Sequence, residues 1–196
     1  MKHSGKLVLA ALVCGGLLTA CSGKEKVAEQ SNETVIKIGV AGPLSGNIAN
    51  VGKDAENGAR MAVDEINSKS DWVLNGKKVK LELVSEDDAA DPKQGVTVAQ
   101  KLVDDNVAAV IGHVNSSVSI PASSIYSKAG LAQISTASTN PDYIKKASKT
   151  PQGNNSAYRV VATDEKQGPA LLQYIIDSGA KNIVVWDDAS QFGKGI

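Results

Sequence analysis

Cysteine is nearly absent: the 196 residues contain two, Cys14 and Cys21, both near the start. The rest of the chain therefore has no disulfide framework, and its fold rests on its core alone. Histidine is as scarce, with only His3 and His113, so a transition-metal site is not expected. One Phe, two Trp and four Tyr are too few for base stacking to be the main work. No charge sign dominates: 21 Lys+Arg balance 21 Asp+Glu, without the basic excess of a nucleic-acid binder. No run reaches the ~20 apolar residues of a spanning helix. What remains, 42% apolar and 21% charged residues, is an ordinary globular composition.

The first twenty residues read as an address. Lys2, His3 and Lys6 precede an apolar run from Leu7 to Leu18, the layout of a secretory signal. It ends in Leu18-Thr19-Ala20-Cys21, small residues just before a cysteine. This resembles the lipobox of bacterial lipoproteins, in which Cys21 would be lipidated and become the first mature residue. The alternative is a plain signal peptide with an incidental cysteine. Cleavage would remove Lys2 and Lys6 but no acid, turning the 21-to-21 balance into a net −2. Residues 21–34 are polar and aperiodic, and are expected to tether the domain to the lipid.

From Val35 strands and helices alternate. Val35–Ala41 is a β-rich run ending at Gly42-Pro43, followed by a helix with Ala55, Ala59, Ala62, Val63 and Ile66 on one face. Val79–Val84 alternates like an edge strand. Asp91-Pro92-Lys93-Gln94 starts a helix: Asp91 caps it, Pro92 takes the first position and Gln94 completes a capping box. Val96, Ala99, Leu102 and Val103 form that helix's apolar face. Val107–Ile111 is a fully apolar central strand. A helix from about Ser116 buries Val118, Ala122, Ile125 and Tyr126, and Leu131–Ile134 is the next strand. Residues 35–162 thus read as a doubly wound α/β lobe with a parallel sheet. A second α/β unit begins near Thr163, with a helix marked by Leu171, Tyr174 and Ile175 and a strand at Ile183–Trp186. It stops at Ile196 where another helix should open, so residues 163–196 are expected to be the start of a second lobe and the sequence a fragment.

In open α/β sheets ligands bind beyond the carboxyl ends of the strands, at the switch in strand order. Three loops fall there: Gly42–Gly46 running on to Gly52, His113–Ser117, and Ser135–Asn140. The last two are rich in hydroxyls and poor in charge. Neutral donors at a helix N-terminus suit a carboxylate better than a polyphosphate. Each loop taken alone is equally a cap or a turn, since Ser and Thr favour both. Glu86-Asp87-Asp88 is either a cation site or a solvated strand end. Gly46 to Gly52-Lys53 departs from a phosphate loop in spacing, and Asp54 replaces its hydroxyl. No nucleophile–base–acid set is evident, so an exported hydrolase is the rival class without motif support.

The run Ile38-Gly39-Val40-Ala41-Gly42-Pro43-Leu44-Ser45-Gly46 resembles the start of the leucine/isoleucine/valine-binding family, the type I periplasmic substrate-binding proteins of ABC importers. Further matches follow in order: Asn57–Arg60, Asp87–Pro92, Val110–His113, Pro121–Ser123, Ser138–Pro141, and Asp164 with Gln167–Pro169. The resemblance implies two α/β lobes closing on an amino acid, with ABC permease subunits as partners and no cofactor or catalysis. It implies that Ser116 binds the ligand carboxylate, that the Ala137 carbonyl accepts from the α-amino group, and that Thr139 contacts both ends. Asn115 and Ser138 are candidates on the same loops. Phe192 stands where the family often has a cleft tyrosine, and Val51 where close members carry an aromatic wall. Ala90 and Asn115 occupy the positions of a family disulfide, and the acidic partner of the ammonium is expected beyond residue 196. The resulting expectation is a lipid-anchored receptor for a branched-chain or similar amino acid. A receptor for an amide, urea or aromatic acid, or a sensor without transport, is the alternative.

Overall fold

A computed structural model describes residues 33–69 and 71–196. The signal, the lipobox with Cys21 and residues 22–32 lie outside the described residues. Glu33 and Thr34, read from the sequence as part of the tether, belong to the first strand. That strand, β1 (Glu33–Gly42), is followed by α1 (Ala49–Lys69), β2 (Val73–Leu74), β3 (Lys77–Asp87), α2 (Pro92–Asp104), β4 (Ala109–Gly112) and α3 (Ser116–Lys128). Then come β5 (Ala132–Ser135), α4 (Asp142–Lys145), β6 (Ala157–Arg159) and α5 (Asp164–Asp177). The strands make one sheet ordered β2-β3-β1-β4-β5-β6, parallel throughout except for the β2–β3 hairpin. The chain leaves β1 toward β3 and returns past it to β4. The switch point therefore lies between β1 and β4.

The two sheet faces bury different residues. Val63 of α1 packs with Val79 and Leu81 of β3 and with Ile36 of β1. On the opposite face Ala41 of β1 joins Val98, Ala99 and Leu102 of α2, Val110 of β4, and Ala122 and Tyr126 of α3. Ile36 and Ala41 differ by an odd number of residues, so the pleat sends them to opposite faces. This is the doubly wound α/β arrangement expected. Among the described residues no helix is long and apolar enough to cross a membrane.

Several expectations shift in detail. The α1 stripe runs Gly52–Ala59–Val63, while Ala62 and Ile66 are exposed. These two apolar residues sit off the 52–59–63 line that meets the sheet. In α2, Val98 is buried and Val96 exposed, because the helix turns its Gly95 side toward α3. A Cβ on Gly95 would stand 2.2 Å from Val118 Cγ1. Asp91 does cap α2, accepting from the Gln94 amide at 2.8 Å, but the Gln94 side chain donates to the Asp87 carbonyl at 2.7 Å rather than closing a capping box. The outer edge of β3 is paired by β2 only at Lys77 and Lys78. Farther along, the Asn67 side chain of α1 takes a strand's place, donating to the Leu81 carbonyl at 2.9 Å and accepting from its amide at 2.8 Å.

The expected strand at Ile183–Trp186 does not form. Val184, Val185 and Trp186 are 89%, 88% and 93% exposed, and no strand among the described residues pairs with them. A parallel strand has no hydrogen-bonding life of its own without a neighbour. On α5, Leu171 and Tyr174 are exposed as well, and an apolar concavity of 710 Å³ opens between α5 and residues 183–196.

Gly52 sets how closely α1 approaches the loop after β1: a Cβ there would fall 2.2 Å from the Pro43 carbonyl oxygen. Backbone cannot rotate away as a side chain can. Gly52→Ala is expected to destabilise the fold by roughly 1–3 kcal/mol, the ordinary cost of overpacking. Thermal denaturation checks this, and an unchanged melting temperature would show that the contact is soft.

Candidate functional site

The loops beyond β1, β3, β4 and β5 gather at one end of the sheet. Each is tied to its neighbour by a side chain that the sequence leaves ambiguous. Asp87, at the end of β3, accepts from the amides of Leu44 at 2.8 Å, Ser45 at 3.3 Å and Ala89 at 2.8 Å. Burial alone would raise its pKa, but the Ser45 hydroxyl and these amides prevail and hold the carboxyl below its ordinary 3.8. The stabilisation this brings is full above the unfolded value and is lost as the pH falls through the lower folded one. Asp87→Asn is therefore expected to flatten the acid limb of the stability profile, read as melting temperature from pH 5 down to about 2. An acid limb as steep as wild type would count against this role.

Asp88 faces inward. Its Oδ2 lies 2.6 Å from His113 Nδ1 and its Oδ1 accepts from the Ala90 amide at 2.9 Å. The other ring nitrogen of His113, Nε2, is 3.1 Å from the Tyr126 hydroxyl. The tautomer that donates at Nδ1 leaves Nε2 to accept from Tyr126. All three side chains are fully buried. Burial pushes the Tyr126 phenol far above its ordinary pKa, with the Asp88 charge adding to it, so this group stays protonated. The His113 carbonyl accepts from the hydroxyls of Ser135 at 2.6 Å and Ser119 at 3.0 Å. The loops after β3, β4 and β5 thus share one polar knot beneath the cleft. Glu86 pairs with Lys101. Each acid of Glu86-Asp87-Asp88 is committed to a partner, and among the described residues no group of three or more His, Cys, Asp or Glu could hold a metal ion.

Above the knot lies a cleft of 590 Å³. Of the candidate residues it brings together Val51, Asn115, Ser116, Ala137 and Phe192, with Ile48 and Val114 adding apolar wall. Asn115 is the N-cap residue of α3, yet its side chain makes no cap bond and its Oδ1 is buried without a partner. The Val118 amide donates to the Asn115 carbonyl at 3.0 Å, and with no side-chain cap the amides of Ser116 and Ser117 keep the positive end of the helix available to an anion. The Ser116 hydroxyl oxygen accepts from the Asn140 amide at 3.3 Å, so its own proton is left to donate.

Two candidates sit elsewhere. Ser138 is fully buried and off the cleft wall: its hydroxyl donates to the Val114 carbonyl at 3.1 Å and meets Ser119 Oγ at 2.6 Å. Thr139 is not on the wall either, and its Oγ1 is buried with no partner. An unsatisfied buried hydroxyl is costly and calls for an explanation. Asp188 and Ser190, which the sequence reading missed, also line the cleft. Their signal is the polar turn after Trp186, where a strand end was expected. The Ser190 hydroxyl and amide hold the exposed Asp188 carboxyl below its ordinary pKa.

The family model described as periplasmic binding protein matches residues 35–196. The whole chain is 36% identical to a Leu/Ile/Val-binding protein of Citrobacter freundii, covering 48% of it. It is 35% identical to a leucine-specific-binding protein of Salmonella typhimurium, again over the whole chain and 48% of the relative. The chain thus spans about half the length of the curated relatives it matches. Among solved structures, a branched-chain amino acid transporter substrate-binding protein of Streptococcus pneumoniae in complex with isoleucine superposes with a TM-score of 0.71. It is 30% identical over 83% of this chain and 44% of that one.

Proposed function

The chain belongs to the periplasmic binding protein family, and on that premise we propose that it is the ligand-capturing part of an extracytoplasmic receptor for a branched-chain or similar amino acid, serving an ABC importer. The observation that carries this reading is the cleft at the switch point. It joins an uncapped helix N-terminus and the donor hydroxyl of Ser116 to apolar walls from Ile48, Val51, Val114 and Phe192.

In this reading the ligand carboxylate takes its hydrogen bonds from Ser116 and the first turn of α3. The α-ammonium lies by the Ala137 carbonyl, and the aliphatic side chain lies against Val51 and Phe192. Thr139 lies off the wall of this cleft, and its stranded hydroxyl gains a partner when ligand arrival turns the side chain toward it. Residues 35–162 supply one lobe and residues from 163 onward enter the second. Closure of the lobes is a shift between open and closed populations, because ligand contacts both walls only when they meet. Val51, in place of an aromatic wall, widens the side-chain end of the pocket. Cys21 carries the lipid that keeps the receptor at a membrane; Cys21→Ser is expected to release it in cell fractionation.

The test is a thermal-shift panel of free L-amino acids on the full-length protein. A ligand at ~100-fold excess over its Kd adds about 2.7 kcal/mol to stability. Leucine, isoleucine or valine is expected to raise the melting temperature above charged and aromatic amino acids. A panel in which no aliphatic amino acid shifts it would refute the proposal.

A further inference from the structure

Arg159 closes β6 and does not line the cleft. Its guanidinium donates through Nη1 to the Ser138 carbonyl at 2.9 Å and through Nη2 to the Asn140 carbonyl at 2.8 Å. The carbonyl between them, Thr139, accepts instead from the Asp164 amide at 3.1 Å. Three consecutive carbonyls are thus claimed from two sides, two of them by one side chain. Arg159 is itself held: its Cζ lies 5.4 Å from the centre of the Tyr143 ring, whose hydroxyl donates to the Gln133 carbonyl at 3.2 Å. Tyr143 is fully buried, so the ring is a fixed platform.

The gripped segment reaches the cleft at both ends. Ala137, just before it, is cleft wall. Asn140, at its end, donates its amide to Ser116 Oγ. That bond fills an acceptor site on the serine oxygen and so decides where the hydroxyl proton can point.

We propose that Arg159 is a positioning residue for the ligand site: it fixes the 138–140 backbone and, through the Asn140 amide, aims the Ser116 hydroxyl into the cleft. A planar fork with two donors on one edge can span the carbonyls of residues i and i+2. A lysine ammonium, a point charge on a flexible stem, cannot hold both in one geometry. Charge retention without the fork therefore separates positioning from simple electrostatics. The ligand arm of this inference rests on the receptor reading above; the loop arm does not.

The experiment compares wild type, Arg159→Lys and Arg159→Gln in the full-length protein, using L-leucine as probe and amide hydrogen exchange without ligand. Arg159→Lys is expected to stay folded with a lowered melting temperature, weaken leucine binding by about tenfold or more, and speed exchange of the 137–140 amides while the α2 and β4 amides stay protected. In the Ser116→Ala background the same substitution is expected to cost much less, since Arg159 acts through that hydroxyl. Wild-type affinity in a folded Arg159→Lys or Arg159→Gln variant, or fully additive losses in the double mutant, would overturn the proposal. If wild type ignores leucine but binds isoleucine or valine, that ligand replaces leucine as the probe; if it ignores all three, the receptor reading fails and exchange alone decides: unchanged protection of residues 137–140 in the variants overturns the positioning role, and local loss of it sustains the role.

Discussion

Replacing Ser116 and Thr139 together by alanine is expected to abolish measurable leucine binding and leave the fold intact. Hydrogen bonds to a charged group contribute ~1.5–3 kcal/mol each, so losing two weakens binding by at least two orders of magnitude. The two residues differ in what they do without ligand. The Ser116 oxygen accepts from the Asn140 amide, so its loss leaves a donor unpaired and costs some stability. The Thr139 hydroxyl is buried and pairs with nothing, so Thr139→Val removes an unmet group of nearly the same shape. The single variant is therefore expected to be as stable as wild type, or more stable, while binding worse. Calorimetric titration and thermal denaturation read the two effects separately. Unchanged affinity in the double variant would remove both residues from the site.

The largest loss of stability is expected from Asp88→Ala. The substitution strands the Nδ1 side of the fully buried His113 and takes the side-chain acceptor from the half-buried Ala90 amide. Removing one partner of a buried polar pair costs roughly 3–5 kcal/mol, far more than the pair is worth against an apolar replacement. Denaturant unfolding with an unchanged m-value isolates this cost. A loss below about 1 kcal/mol would place water or another acceptor beside His113 Nδ1 and the Ala90 amide, because a surface substitution costs no more than that.

How far the fold could be read from the residues depends on the range of the interaction. The start of α2 was legible because Asp91 and Pro92 act within one turn. The central strand β4 was legible from the unbroken apolar run Val107–Ile111, though the strand itself is Ala109–Gly112, with Val110 buried and Ile111 half-buried. The buried side of α2 was misread at Val96 because its contact with α3 is made by a glycine, which no hydrophobic pattern marks. The Asp88–His113 pair spans 25 residues and the Arg159 grip about 20, and neither leaves a local trace. The strand expected at 183–186 has strand composition, but pairing is a property of the neighbour as much as of the residues.

The site was legible in the same graded way. Topology alone points to the loops after β1, β4 and β5, and five of the seven candidate residues share one cleft. Ser138 shows the limit: hydroxyl-rich loops signal donors, not which way each donor turns, and its hydroxyl closes the knot below. Asp188 and Ser190 enter from a segment whose expected strand does not form.

The most direct test of the account is calorimetric titration of the full-length protein with L-leucine and with 3-methylbutylamine, which is leucine without its carboxylate. The cleft is held to recognise a carboxylate through Ser116 and the first turn of α3. Leucine is expected to bind and the amine to show no measurable heat of binding. Equal binding of the two would contradict the account, because the donors it rests on would then have nothing to hold.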